Sequence, residues 1–158
     1  MNQEDVKLIL SNIAELKKQI QDNIEELILT EAVAINREYP EVLKMGWTQY
    51  TPSFNDGEPC EFTMCNIGFI GKKEIDEARE NEGDEDLEIH GYMWEEYNMC
   101  YRSDDHISPE LKDRLNDFAS NLHELEEYLG AAFGTWGAEV TIDMVKGTLS
   151  VEEYDCGY

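Results

Sequence analysis

Residues 5–37 read DVKLILSNIAELKKQIQDNIEELILTEAVAINR, a long run with neither glycine nor proline. Apolar residues recur there in alternating steps of three and four. Val6, Ile9, Ile13, Leu16, Ile20 and Leu27 share one seam, with Asn23 as its polar member. Such steps keep side chains on one side of a 3.6-residue turn, the pattern of a helix that meets another helix. An asparagine in the seam can fix register between two helices at some cost in stability. After Ile24 the apolar band widens to Leu27, Ile28, Leu29, Ala32, Val33 and Ile35. That is more than one stripe, as expected of a helix packed against its own domain. The stretch therefore predicts one helix from Asp5 to about Arg37, with residues 1–27 as a protruding arm. At 1.5 Å per residue the helix would span roughly 50 Å, more than the width of the remaining globule. Ile9, Ile13, Leu16, Ile20, Asn23 and Leu27 are the expected contacts of a homodimer. The same residues leave a second arrangement open: a break near Asp22-Asn23 that folds the two halves into an intramolecular helical hairpin.

Pro40 ends the helical region, and strand signals follow. Gly46 to Thr51 and Cys60 to Met64 are β-prone, and Asp56-Gly57 between them is a strong turn signal bracketed by Pro52 and Pro59. The block GWTQYTPSFNDGEPCEF, residues 46–62, resembles a segment of uncharacterised proteins of large tailed bacteriophages. The resemblance implies a viral origin and brings no activity with it.

Further along, Lys73 to about Asn81 reads as a short helix leading into a Gly83 loop. Leu87 to Trp94 alternates as a half-buried strand. Ser108-Pro109-Glu110 is a helix start, and Leu111, Leu115, Phe118, Leu122, Leu125 and Leu129 form the apolar face up to Gly130, the expected terminator. The chain then turns to a hairpin. Ala138, Val140, Ile142 and Met144 point one way, Glu139, Thr141 and Asp143 the other, and Leu149 and Val151 return after a Lys146-Gly147 turn. The predicted class is α+β, a single domain over 1–158. Its parts are a long N-terminal helix, a small antiparallel sheet, a second amphipathic helix and a C-terminal β-hairpin.

Thirty-six acidic residues against twelve basic ones give a net charge of −24. Such a surface repels phosphate, so no direct binding of nucleic acid or anionic lipid is expected. No stretch approaches the ~20 apolar residues of a membrane span, and the first residues lack the build of a signal peptide. The expected location is the cytoplasm, that of the host if the chain is viral. Cys60, Cys65, Cys100 and Cys156 then read as thiols. With His90, His106 and His123 they match no common zinc spacing, so neither metal nor cofactor is expected.

Signs of catalysis are equally sparse. There is no nucleophile elbow, no Walker loop and no GxGxxG. Glu95-Glu96, Asp104-Asp105 and Glu126-Glu127 read as solvated faces in so acidic a chain. Asp104-Asp105-His106 is too contiguous to converge on one ion, and the acidic segment lacks the spacing of a calcium loop. Tyr92, Trp94, Tyr97 and Tyr101 lack the basic neighbours of a base-stacking platform, so they suit a core or a protein interface. The expectation is a protein that is not an enzyme.

Solubility alone asks for a net charge of magnitude about 2–8. Adaptation to a salty cytoplasm fits poorly with Glu outnumbering Asp by 24 to 12 and Lys outnumbering Arg by 8 to 4. Recognition of a strongly basic partner remains, and the commonest basic surfaces are nucleic-acid-binding grooves. Nine carboxylates lie between Glu74 and Glu88, and from Leu115 onward there are nine acidic residues and one basic. The expected partner-binding surface comprises Glu25, Glu77, Glu80, Asp84, Asp86, Asp117, Glu124, Glu139 and Asp143. These point to a DNA mimic that inhibits a nucleic-acid-binding protein or nuclease, such as a host defence or restriction factor. The alternatives are an acidic antitoxin or immunity-type protein capping a basic toxin, and a phage assembly protein using a coiled-coil arm.

Overall fold

Asn2 opens the first helix. Its side-chain oxygen accepts the Asp5 backbone N–H at 2.8 Å, and the Asp5 carboxylate accepts the Asn2 N–H at 3.3 Å. This reciprocal cap satisfies two donors that the first turn leaves free. The capped helix, α1 (Gln3–Glu38), begins a computed structural model that describes residues 1–52, 61–82 and 107–154.

Two halves of α1 meet at Asn23, whose backbone (φ −124°, ψ 16°) leaves the helical region. The Asn23 amide donates to the Gln19 carbonyl at 2.8 Å, occupying an acceptor where the regular ladder is interrupted. The break anticipated near Asp22-Asn23 is therefore present, but the hairpin is not. Residues 1–19 are all exposed, whereas Ile24, Ile28, Ala32 and Ile35 are buried. Asn23 marks this break, with its amide engaged within its own helix.

The second half of α1 lies against a four-stranded antiparallel sheet. Its strands are β1 (Val42–Tyr50), β2 (Thr63–Gly71), β3 (Ala138–Asp143) and β4 (Thr148–Glu153), in the order β2-β1-β3-β4. Three further helices complete the described elements: α2 (Lys72–Glu82), α3 (Pro109–Glu124) and α4 (Glu126–Phe133). Met45, Trp47, Phe69, Val140 and Ile142 from the sheet join Ile28 and Ile35 of α1 with Leu111, Leu115 and Leu122 of α3 in one core. Phe69 meets Phe118, and Trp47 meets Phe133 edge-on, each at 6.1 Å between ring centres. Trp47 and Gln49 carry polar atoms into this core, and both are matched. The indole N–H donates to Gln49 Oε1 at 2.8 Å, and Gln49 Nε2 donates to the carbonyls of Leu129 (3.0 Å) and Gly134 (2.7 Å).

Several boundaries differ from the sequence reading. β1 begins at Val42 rather than Gly46, and the second strand is Thr63–Gly71 rather than Cys60 to Met64. Gly68 and Gly71 weaken the strand signal of that stretch, yet Gly68 pairs opposite Gly46 in the sheet. The single helix expected after Ser108 is two, parted at Leu125 (φ −93°, ψ 6°). Ser108 does cap the start, accepting the Leu111 N–H at 3.1 Å. Gly130 is not the terminator. It lies buried inside α4, where a Cβ would come within 3.0 Å of Thr135 and 3.4 Å of the Phe62 ring. Gly134, at φ 120°, ends the helix instead.

The C-terminal hairpin forms as expected, with Ala138, Val140, Ile142 and Met144 buried and Gly147 at φ 70° in the turn. The expected Asp56-Gly57 turn, the Gly83 loop and the Leu87 to Trp94 strand lie outside the described residues.

Candidate functional site

The apolar face of α3 fixes which residues it turns to water. With Leu111, Leu115, Phe118 and Leu122 buried, Glu110, Asp113, Asp117 and Glu124 form an exposed stripe along the helix. Glu110 to Asp117 and Asp117 to Glu124 are seven-residue steps, each about 10 Å along the axis at 1.5 Å per residue. That length equals about three phosphate steps of one DNA strand at ~3.4 Å each. The stripe is rigid because the other face of the same helix belongs to the core.

Neighbouring acids are arranged differently. Glu25 and Glu26 are exposed just after the break in α1. Glu31 and Glu38 share Arg114 of α3, at 2.5 Å and 3.3 Å. Burial alone would lower the pKa of that guanidinium, and the hydrogen bonds and charges of the two glutamates outweigh it, so the pKa rises. On α2, Asp76 and Glu80 are exposed and Glu77 is half-buried. They border a cleft of about 520 Å³ with Glu41, Lys72 and Lys73. Glu74 in the same turn is wholly buried and accepts the Gly71 N–H at 3.1 Å. Glu126 accepts the Met64 N–H at 2.6 Å, which fastens α4 to β2.

The expected surface is thus sorted by its surroundings. Glu25, Glu80, Asp117 and Glu124 are exposed, and Glu77 is half-buried. Glu139 is not an open surface carboxylate. It is 9% exposed, in a cross-strand row with Cys65 and Thr48. The alternation had placed it correctly on the face opposite Val140, but that face is covered at this point. Asp143 is half-buried, and its Oδ1 accepts the N–H groups of Val145 and Lys146 at 3.0 Å each, so it shapes the hairpin turn. Asp84 and Asp86 lie outside the described residues.

Along the seam of α1, Ile9, Ile13, Leu16 and Leu27 are exposed, and Ile20 is half-buried. Part of the seam is concave. Leu16, Ile20, Asn23 and Leu27 line one groove of about 540 Å³ with Gln19, Glu26, Thr30 and Glu31. Four of the six expected dimer contacts are gathered there.

Cys65 Sγ lies 3.1 Å from Thr48 Oγ1. Cys60, Cys100 and Cys156 lie outside the described residues. Among the described residues no three His, Cys, Asp or Glu side chains are grouped so as to hold a metal ion, and no helix is long and apolar enough to cross a membrane. No protein-family model, no curated protein and no solved structure matches the chain.

Proposed function

We propose that the protein is a non-enzymatic inhibitor that occupies the basic nucleic-acid-binding surface of another protein. The observation that supports this reading is the stripe Glu110, Asp113, Asp117 and Glu124, held at fixed rise by a helix anchored in the core. A groove built for duplex DNA presents Lys and Arg along a line of phosphates. A rod of carboxylates at comparable spacing meets the same cations and is steered to them by the same field. Glu25 and Glu26 on α1 and Glu77 and Glu80 on α2 add further carboxylates to the negative potential of the chain. With the tailed-phage resemblance of residues 46–62, the target is a host defence or restriction factor, and the site of action is the host cytoplasm.

Capture on the immobilised chain from bacterial lysate, followed by identification of the bound protein, tests this. The expected partner is a basic nucleic-acid-binding protein. A single small basic toxin would favour the antitoxin reading instead, and retention of virion components would favour an assembly protein.

A further inference from the structure

The net charge is unevenly distributed, and the first half of α1 is among the stretches that carry little of it. Residues 1–22 carry four acids (Glu4, Asp5, Glu15, Asp22) and three bases (Lys7, Lys17, Lys18), close to neutrality. Residues 23–158 carry the other 32 acids and nine bases. A second copy of so acidic a chain meets little repulsion at this stretch.

That neutral stretch is also unsupported by its own chain. Residues 1–19 are wholly exposed, with Val6, Ile9 and Ile13 43–45% exposed and Leu8, Leu10 and Leu16 57–60% exposed. Isolated helices of this length are marginal in water and gain most of their stability from packing an apolar face. The concave end of the seam offers such a face, and the acids Glu26 and Glu31 are at its rim. The stretch Val6–Ile13 contains one charged residue, Lys7, which is of opposite sign to that rim.

We propose that two copies pair antiparallel through α1, the Val6–Ile13 segment of each lying along the Leu16–Asn23 part of the groove of the other. The arrangement is isologous, as a two-fold dimer requires: each chain gives one segment and one groove. In this register Ile13 packs against the partner's Leu16 and Ile9 against the partner's Ile20, while Val6 meets the partner's Asn23. Antiparallel pairing also keeps the two acidic bodies at opposite ends of the paired helices, roughly 30 Å apart for some twenty residues at 1.5 Å each. That separation exceeds the Debye length of about 10 Å at 0.1 M salt. A parallel pair would place both bodies at the same end.

Light scattering on the full chain at about 0.1 M salt tests the pairing. The mass is expected at twice that of one chain, at one chain for Ile9→Lys/Ile13→Lys, and again at two for Ile9→Leu/Ile13→Leu. Tryptophan emission of the chain stays unchanged throughout, because Ile9 and Ile13 touch no part of the core that holds Trp47. A parent mass of one chain, a doubled mass that survives the Lys substitutions, or an altered tryptophan emission overturns the proposal. Orientation is read from salt. Between about 0.1 and 1 M the dimer dissociation constant should change less than about threefold. Tightening of tenfold or more would mean that the two acidic bodies lie side by side, and the antiparallel assignment would be wrong.

Discussion

Gln49 ties β1 to α4 through one side chain. It accepts from Trp47 on its own strand and donates to carbonyls at both ends of the α4 turn region, Leu129 and Gly134. Replacing it by leucine keeps much of its volume but leaves the indole N–H and the two carbonyls without this partner. Buried polar groups stripped of a partner cost about 1–3 kcal/mol each, so Gln49→Leu should destabilise the fold by about 2–4 kcal/mol. A lower urea midpoint at unchanged slope is the expected sign, and an unmoved midpoint would show that other partners take over. Tyr128 offers a second residue-scale measurement. Desolvation, then the hydrogen bond and charge of Glu127, raise its phenol pKa above the usual 10. Its contribution to stability is therefore complete below the unfolded value and is lost as pH climbs through the folded one. A difference titration against Tyr128→Phe should show a midpoint above 10. Neither residue was legible beforehand. Gln49 sits in an alternating strand where any polar residue reads as outward-facing, and its partners are 80 and 85 positions away.

At the scale of elements, α1 is two objects in one helix. Leu115 on α3 is wholly buried, so Leu115→Ala should cost about 2–5 kcal/mol. Ile13→Ala in the exposed half should stay within about 0.5 kcal/mol in dilute protein. Equal losses in thermal or urea melts would mean that the first half of α1 is packed on its own body. The periodic elements were readable because their burial follows a helical or strand period: the second half of α1, the apolar face of α3 and the hairpin all follow the pattern. The misplaced boundaries were those set by tertiary contact. Gly130 reads as a stop signal, but its missing side chain makes room for Thr135 and Phe62, and Gly68 hides a strand that pairing with Gly46 secures. The candidate surface divides in the same way. Asp117 and Glu124 follow from helical phase, whereas the cover over Glu139 depends on neighbours distant in sequence. If the α3 stripe is the mimic face, Asp113→Asn/Asp117→Asn/Glu124→Gln should weaken partner binding by tenfold or more and flatten its salt dependence. The pair Glu77→Gln/Glu80→Gln should matter less. The reverse ranking in a binding titration would move the face to α2.

For the whole molecule, charge dominates. An excess of 24 negative charges in one chain destabilises the folded state by self-repulsion, and salt screens that repulsion. The melting temperature should therefore rise as salt is added from low ionic strength, and a fall would show that the charges are mutually compensated. If the same field keeps nucleic acid off the surface, the protein should shift no duplex in a low-salt gel. Both properties suit a molecule shaped to stand in for DNA, and competition with DNA is the direct measure of that claim. The captured partner, bound to the immobilised chain, is challenged with increasing duplex DNA of unrelated sequence. The account predicts that DNA releases the partner in a saturable manner, and that free protein in turn strips the partner from DNA. A partner that holds duplex DNA and this protein at the same time, with neither displacing the other, would contradict it.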